Sequence, residues 1–132
     1  MKHREGFRPF APAILEEFTS EYYVLDRASP YMLLVPEVRA DKASAIPAVT
    51  HVDGTGRLQT LNREFNSHFY RIVEAFFQAT GVPVLLNTSF NVAGEPIVET
   101  PADAIRCFPG TNIDALLLGD QLLVKDSAHS AD

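Results

Sequence analysis

The chain has 132 residues, of which 46% are hydrophobic and 21% are charged, and its formal net charge is −6. This length and composition fit one globular domain with a real core. The acidic charge argues against nucleic-acid binding, which requires a large basic surface, and no apolar run approaches the roughly 20 residues of a membrane span. The single cysteine, Cys107, excludes an internal disulfide and favours a reduced, cytoplasmic location.

The first predicted elements are an extended segment and a helix. Residues 2–10 are predicted to be extended. A helix is predicted to start near Pro12, because proline is favoured in a first helical turn and three apolar residues have helical spacing. These residues are Ile14, Leu15 and Phe18.

The following segments are predicted to be rich in strands. Residues 31–38 (YMLLVPEV) are apolar and partly β-branched, so we expect a strand with Pro36 at an edge. Residues 39–46 are a predicted loop. Residues 48–61 predict a β-hairpin, because the turn pair Asp53-Gly54 lies between two alternating runs.

Residues 66–81 give the clearest helix prediction. Asn66 can cap the helix, and Gly81 ends it because glycine tolerates left-handed geometry. Five apolar residues fall on one helical face and are expected in the core. They are Phe69, Ile72, Val73, Phe76 and Phe77.

Strands and a helix alternate in the last third of the chain. A strand is predicted at 82–87, and a capping box at 100–103 (TPAD) starts a short helix at 101–108. Two strands are predicted within 114–126, and the run ALLL suggests burial on both faces of its strand.

These elements predict an α/β (α+β) fold, in which helices pack on a twisted mixed sheet. We expect one domain over residues 1–126 and a flexible tail at 127–132.

Three cations near the start of the chain are candidate phosphate ligands. In a strand, Lys2 and Arg4 share one face, with side chains about 6.5 to 7 Å apart, and Arg8 can join them after a bend. Arginine offers a planar fork and lysine a point charge to a phosphate group. The alternative is a solvated basic segment, which is the commoner role of a charge cluster.

The predicted hairpin carries a second candidate site. Arg57 and Gln59 share one strand face, and His51 is expected across the hairpin from them. This group can contact a phosphate or carboxylate, and the alternative is an exposed polar hairpin face. No partner at ligand spacing supports His51 as a metal ligand, so no metal site is predicted in this chain.

Four polar residues follow the strand predicted at 82–87. Ligands bind at the carboxyl ends of strands in open α/β sheets, so these amide and hydroxyl groups are candidate ligand contacts. The alternative is a turn in which they cap loop amides. The four residues are Asn87, Thr88, Ser89 and Asn91. By contrast, Cys107 is expected to be a buried structural thiol rather than a nucleophile.

Four blocks of the sequence together resemble a known family. The blocks lie in the family's order and span Lys2 to about Leu123. They read KHREGFRPFAPAIL, THVDGTGRLQT, GVPVLLNTSFNVAGEPIVETPADAIRCF and DALLLGDQLL. The chain resembles the C-terminal domain of the O-carbamoyltransferases of the nodulation-factor, cephalosporin and tobramycin type.

This resemblance implies a YrdC-like fold and a two-domain enzyme. The family's C-terminal domain handles ATP, with Mg²⁺, and carbamoyl phosphate, and it forms carbamoyl adenylate with release of pyrophosphate. The N-terminal domain has an actin-like fold, carries iron or another metal, and passes the carbamoyl group to a hydroxyl of a sugar or natural product. That domain is absent from this sequence, so we expect a fragment of a longer chain that is incomplete or inactive by itself.

The resemblance also assigns roles to individual residues. Lys2 and Arg4 match the family's Lys-x-Arg element, and together with Arg57 they are expected to be catalytic. The remaining matches are expected to bind the substrate or nucleotide alongside those three. They are Arg8, His51, Gln59, Asn87, Thr88, Ser89 and Asn91.

Two further functions are compatible with the same fold. The chain could be a non-catalytic interaction module that docks on a separate partner, or a relative of the threonylcarbamoyl adenylate synthases that act on transfer RNA. The acidic charge argues against the second of these. A homodimer is also expected if a missing domain leaves an apolar patch exposed.

Overall fold

The computed structural model describes residues 10–92 and 94–125 and has a mixed α+β fold. The described residues fall into two compact units. We call residues 10–88 the sheet unit and residues 89–125 the C-terminal unit. None of the helices within residues 10–92 and 94–125 has the length and hydrophobicity of a membrane span.

The sheet unit is built on a three-stranded mixed sheet with the strand order β2-β1-β3. Its strands are β1 (Ala11–Leu15), β2 (Gln59–Leu61) and β3 (Val84–Asn87). The central strand β1 runs parallel to β2 and antiparallel to β3. The starts of β1 and β2 and the end of β3 therefore lie at one edge of the sheet.

Every residue of β1 is buried, because a separate apolar cluster covers each face of the strand. Ile14 packs on one face with Tyr23, Leu58 and other apolar residues. Ala13 and Leu15 pack on the opposite face, against the long helix α2 (Ser67–Thr80). Side chains that alternate between two cores are the expected result of a strand covered on both sides.

The helix predicted from Pro12 is wrong, because this segment forms β1. Short apolar runs fit helix and strand periodicity about equally well, and here the two flanking strands decide the outcome. Pro12 fits the central strand because it precedes the first β1–β2 pair, Ala13 with Gln59, so no residue of β2 is paired opposite its missing donor. A short 3₁₀ turn and the one-turn helix α1 (Thr19–Tyr22) follow.

The predictions of a strand at 31–38 and of a hairpin at 48–61 are also wrong. The first segment contains only isolated bridges, one of them between Leu34 and Leu58. The predicted turn exists, since Gly54 has a φ of 79° and its N–H donates to the carbonyl of His51. The arm before the turn is a 3₁₀ helix at Pro47–Val49, and β2 pairs with β1 instead.

The helix α2 confirms the prediction in its length and its end. Asn66 precedes it, and Gly81 ends it with a φ of 76° while its N–H donates to the carbonyl of Phe77. The predicted core face was rotated, however, because Tyr70 and Val73 are the buried residues of the helix. The predicted core residues Ile72 and Phe76 are exposed.

The C-terminal unit contains the helix α3 (Pro101–Cys107) and the antiparallel pair β4 (Ala115–Leu118) and β5 (Gln121–Val124). The predicted capping box is confirmed, because the Thr100 hydroxyl accepts from the Asp103 N–H and the Asp103 carboxylate accepts from the Thr100 N–H. Cys107 is buried, as predicted. Burial of ALLL on both faces is wrong, because Leu117 is 54% exposed.

Candidate functional site

The edge at which β3 ends brings two of the predicted site residues together. Asn87 Nδ2 donates a hydrogen bond to Gln59 Oε1 across 2.7 Å, although the two residues lie on strands on opposite sides of β1. They pair in register with Ala11 and Ala13, so all four side chains share one sheet face. Because neighbouring strands lie about 5 Å apart, only small residues on β1 leave room for the two amides to meet above it.

The other end of the Gln59 amide is bonded to the loop that contains Ser29 and Pro30. Gln59 Nε2 donates to the carbonyl oxygen of Pro30 across 3.2 Å. Both ends of the Gln59 amide are thus bonded within the protein. The amide serves as a link between Pro30 and Asn87.

Buried hydrogen bonds fix this loop against β2. The Ser29 N–H donates to Thr60 Oγ1 at 2.8 Å, and the Ser29 hydroxyl donates to the carbonyl of Leu58 at 2.8 Å. The Thr60 N–H returns a bond to the carbonyl of Ser29 at 3.0 Å. Ser29 and Thr60 are both almost fully buried, so the position of Pro30 is well determined.

We call these three hydrogen bonds among Ser29, Leu58 and Thr60 the Ser29 clamp. The clamp was not predicted from the sequence. Ser29 and Thr60 are 31 residues apart in the chain, and no local motif marks either of them. A signal was available only in the alternation of β2, which places Leu58 and Thr60 on buried positions.

Arg57 and Thr88 lie beside this edge and are exposed. Arg57 lies two residues before Gln59, the first residue of β2, so the predicted strand face shared by Arg57 and Gln59 stays a prediction. Within residues 10–92 and 94–125, the Arg57 side chain forms no hydrogen bond or ion pair. Its guanidinium is therefore available to an anion.

His51 lies at the turn before Thr55 rather than across a hairpin from Arg57. Thr55 Oγ1 lies 3.1 Å from His51 Nδ1 and 2.7 Å from Asp53 Oδ1, to which it donates. The hydroxyl and N–H of Thr55 hold the pKa of the exposed Asp53 carboxyl below its usual range. His51 Nε2 is buried without a partner among the described residues.

Ser89 and Asn91 belong to the C-terminal unit and stabilise a turn there. Ser89 Oγ donates to Asn91 Oδ1 at 2.8 Å, and Asn91 Nδ2 donates to the carbonyls of Val92 and Glu95. Both residues also have further interactions. For Ser89 and Asn91, these bonds agree with the alternative in which the polar side chains stabilise a turn.

The predicted phosphate ligands Lys2, Arg4 and Arg8 lie outside the described residues. Their role as phosphate ligands therefore stays a prediction. Within the described part of the chain, no group of three or more His, Cys, Asp or Glu residues could hold a metal ion.

The sequence is similar to a defined protein family. The family described as "Carbamoyltransferase C-terminus" matches residues 1–125. The chain is 47% identical over 135 residues to nodulation protein NolNO of Sinorhizobium fredii, covering all of this chain and 20% of that protein. It is 45% identical to nodulation protein NolO of Bradyrhizobium diazoefficiens, covering all of this chain and 25% of that protein.

A third relative carries an enzyme name. The chain is 37% identical over 120 residues to the 3'-hydroxymethylcephem-O-carbamoyltransferase of Amycolatopsis lactamdurans, covering 91% of this chain and 23% of that protein. The chain thus spans about a fifth to a quarter of the relatives it matches.

Proposed function

Because the chain belongs to the carbamoyltransferase C-terminus family, we propose that it is the part of an O-carbamoyltransferase that handles ATP and carbamoyl phosphate. The observation that carries this proposal is the family match over residues 1–125, which includes every candidate site residue. In this proposal, transfer of the carbamoyl group to a hydroxyl acceptor is completed by a part of the protein outside these 132 residues.

The proposed reaction on this chain is adenylate formation. Carbamoyl phosphate loses its phosphate to water and leaves carbamate. A carbamate oxygen then attacks the α-phosphorus of ATP, a new O–P bond forms, and the bond to the bridging oxygen of the β-phosphate breaks. The products are carbamoyl adenylate and pyrophosphate, which carries away the electron pair of the broken bond.

Electrostatics is the main obstacle to this step, since carbamate and ATP are both anions. Fixed cations offset the repulsion and stabilise the charge that develops on the departing pyrophosphate. Arg57 is suited to this role because its guanidinium is exposed and unbonded within the described residues. Lys2, Arg4 and Arg8 are the further cations in the proposal, and in the sequence they directly precede β1.

The edge with Gln59 and Asn87 supplies neutral groups beside that charge. Asn87 ends β3, and the exposed Thr88 follows it. Amide and hydroxyl groups can orient a nucleotide or a carbamoyl group without changing their own charge. Mg²⁺ would enter with ATP, because this ion is commonly bound through substrate phosphates and only one or two carboxylates.

The proposal is tested by Arg57→Ala in the full-length enzyme. We expect pyrophosphate release that depends on ATP and carbamoyl phosphate to fall by at least about tenfold. A hydrogen bond to a charged group contributes roughly 1.5–3 kcal/mol, and each 1.4 kcal/mol corresponds to about tenfold. The thermal midpoint should not change, because Arg57 contacts no described side chain through a polar bond.

Arg71→Ala is the matched control. Arg71 is another exposed arginine of the sheet unit, and its guanidinium contacts only its own helix, through the Ser67 carbonyl at 3.3 Å and His68 Nδ1 at 3.4 Å, among the described residues. Arg71→Ala removes the same charge as Arg57→Ala and should leave pyrophosphate release unchanged. Equal losses in both variants would show a general charge effect and remove Arg57 from the site.

Calorimetry separates this function from an interaction module. Titration with Mg-ATP and carbamoyl phosphate should give heat of binding that Arg57→Ala weakens. No heat from either compound would favour a non-catalytic module, and pyrophosphate release that depends on threonine would favour a threonylcarbamoyl adenylate synthase.

A further inference from the structure

We propose that Gln59 is a positioning residue that fixes the orientation of the Asn87 amide, so that Asn87 offers its carbonyl oxygen to an amino group of the ligand. This inference deepens the proposed function and rests on it where the identity of the ligand is concerned. The orientation itself follows from hydrogen bonds within the protein.

The direction of the hydrogen bonds is set by a backbone group. The carbonyl oxygen of Pro30 can only accept, so the Gln59 amide must turn its Nε2 towards it. Gln59 Oε1 then faces Asn87 and can only accept in turn. Asn87 must therefore donate through Nδ2, which directs its Oδ1 away from Gln59.

The orientation of the Asn87 amide has to be fixed by its partners, because the two ends of an amide have nearly the same shape. An isolated asparagine can rotate its amide by 180° and offer either a donor or an acceptor, and only its partners decide between them. The relay Pro30–Gln59–Asn87 removes that freedom. Asn87 is thereby held with its Oδ1, its only side-chain acceptor, turned away from Gln59, while one of its two Nδ2 hydrogens stays bonded to Gln59.

The start of the relay is rigid. The Ser29 clamp attaches the loop to β2 through three backbone or side-chain bonds of 2.8 to 3.0 Å, and Ser29 and Thr60 are almost completely shielded from solvent. Buried, fully paired polar groups of this kind hold a single arrangement, since breaking one leaves an unpaired buried group. The fixed Pro30 carbonyl therefore determines, through Gln59, the orientation of the Asn87 amide.

The acceptor at the end of the relay is accessible. In the part of the chain that the structure describes, Asn87 Oδ1 makes no hydrogen bond, and it is not one of the buried unpaired atoms. Asn87 itself is half-buried at the sheet edge, and its Nδ2 is bonded to Gln59 while its Oδ1 is not fully buried and unpaired. The small Ala11 and Ala13 lie beneath the amide pair on β1 and leave this geometry undisturbed.

An accessible, oriented acceptor selects a ligand that donates N–H. Two groups of the proposed substrates have this chemistry, namely the NH2 of carbamoyl phosphate and the 6-amino group of ATP. Acetyl phosphate replaces the first by a methyl group, and inosine triphosphate replaces the second by an oxygen. Comparing each pair therefore identifies which amino group Asn87 contacts.

The first measurement needs no ligand. In the full 132-residue chain, labelled with ¹⁵N and ¹³C, scalar couplings across hydrogen bonds should connect Asn87 Nδ2 with the Gln59 side-chain carbonyl and Gln59 Nε2 with the Pro30 carbonyl. Couplings in this direction support the relay. Couplings from Gln59 Nε2 to Asn87, or none at all, overturn it whatever the protein binds.

The second measurement tests what the relay does. In the full-length protein we expect about tenfold or greater preference for one amino ligand over its analogue, as one well-made hydrogen bond would give. Gln59→Leu should reduce that preference to less than about threefold, because Asn87 can then rotate. Gln59→Glu loses the bond to the Pro30 carbonyl, because a carboxylate cannot donate, but it should retain the preference since both of its oxygens accept from Asn87 Nδ2.

A matched control separates positioning from stability. Leu61→Val lies two residues further along β2, in the core rather than at the edge, and should lower the thermal midpoint without changing the preference. Loss of the preference in Gln59→Glu and Leu61→Val as well would show a structural effect and overturn the inference. Intact couplings without binding of any of the four compounds would overturn the proposed function and the role of Asn87 as an acceptor for a ligand amino group. The hydrogen bonds of the relay would still be supported.

Discussion

The strands β1 and β4 invert the usual relation between hydrophobicity and burial. β1 has the sequence APAIL, with two alanines and a proline, and all five residues are buried. β4 has the sequence ALLL and is more apolar, yet its residues are only exposed or half-buried. Leu117 of β4 is 54% exposed, and its cross-strand partner Leu122 on β5 is 64% exposed.

The difference comes from what surrounds each strand. β1 has a strand on each side and an apolar cluster on each face, whereas β4 pairs only with β5 among the described residues. A central strand covered on both faces has little room, so small residues suit it. Position in the sheet, rather than the hydrophobicity of the segment, therefore decides burial in this chain.

The largest expected effect is at the buried end of β1. Leu15 is 1% exposed and packs with Leu61 and Val73. Leu15→Ala should lower the free energy of unfolding by about 2–5 kcal/mol, because the lost side chain leaves a cavity that a packed core fills only partly. Urea denaturation followed by circular dichroism measures this change.

The same substitution in β4 is the natural control for Leu15→Ala. Leu117→Ala removes an equal number of atoms from a side chain that is mostly in solvent, so we expect a loss below about 1 kcal/mol. Similar losses in the two variants would contradict the idea that topology sets the value of an apolar residue here.

Buried and exposed hydroxyls extend the comparison to polar groups. Thr60 and Thr100 each accept a backbone N–H, from Ser29 at 2.8 Å and from Asp103 at 3.2 Å respectively. Thr60→Val keeps the shape but leaves the buried Ser29 N–H unpaired, which should cost about 1–3 kcal/mol of unfolding free energy. Hydrogen exchange at the Ser29 amide should accelerate in parallel.

Thr100→Val makes the equivalent change at an exposed helix start. Water can replace the lost acceptor there, so a smaller loss of about 1 kcal/mol is expected, as is typical of N-caps. A larger loss for Thr100→Val than for Thr60→Val would show that burial does not control the value of these bonds.

Local signals predicted the elements whose ends are set by neighbouring residues. The capping box at Thr100, the left-handed Gly81 and the strand that ends at Asn87 were all readable from the sequence. The capping box and the end at Gly81 depend on contacts within about four residues, so the sequence alone contains the necessary information, whereas β3 was readable from its apolar run.

Elements set by distant partners were not predictable. β1 was mistaken for a helix because its strand character depends on Gln59 and Leu85, which are 46 and 72 residues away from Ala13. The buried face of α2 was predicted wrongly because it includes Tyr70. The hydroxyl of Tyr70 donates to Glu17, which is 53 residues away in the chain. Periodicity gives the kind of element, but the sheet it packs on decides its orientation.

The candidate site shows the same division. The family resemblance indicated Gln59 and Asn87 separately, and no sequence pattern could show that their amides bond to each other. Ser29 and Pro30 carried no signal, since their role arises only when the loop lies beside β2. The sequence therefore predicts the type of side chain at the edge. It does not predict which atoms of that side chain are hydrogen-bonded within the protein.

The smallest expected effect concerns the charge of Asp103, and it tests whether an exposed network has any measurable consequence. Hydrogen bonds from the Thr100 hydroxyl, at 2.6 Å, and the Thr100 N–H, at 3.0 Å, hold the pKa of Asp103 below its ordinary value of 3.8. Because the folded pKa is lowered, this contribution to stability is present above pH 3.8 and is lost as the pH falls through the folded pKa. An NMR titration of the Asp103 carboxyl carbon should show the lowered midpoint.

Two substitutions distinguish the cause of that low midpoint. Thr100→Val removes the hydroxyl donor and should raise the pKa of Asp103 towards its ordinary value. Arg106→Ala removes the neighbouring guanidinium and should raise the pKa by a smaller amount, because the Thr100 hydroxyl is the largest cause of the shift and the charge of Arg106 is a lesser one. A larger effect from Arg106→Ala would mean that the hydrogen-bonded ion pair with Arg106 outweighs the bonds from Thr100 at this exposed cap, and the contrast with the buried Thr60 would then reflect the type of interaction as much as its burial.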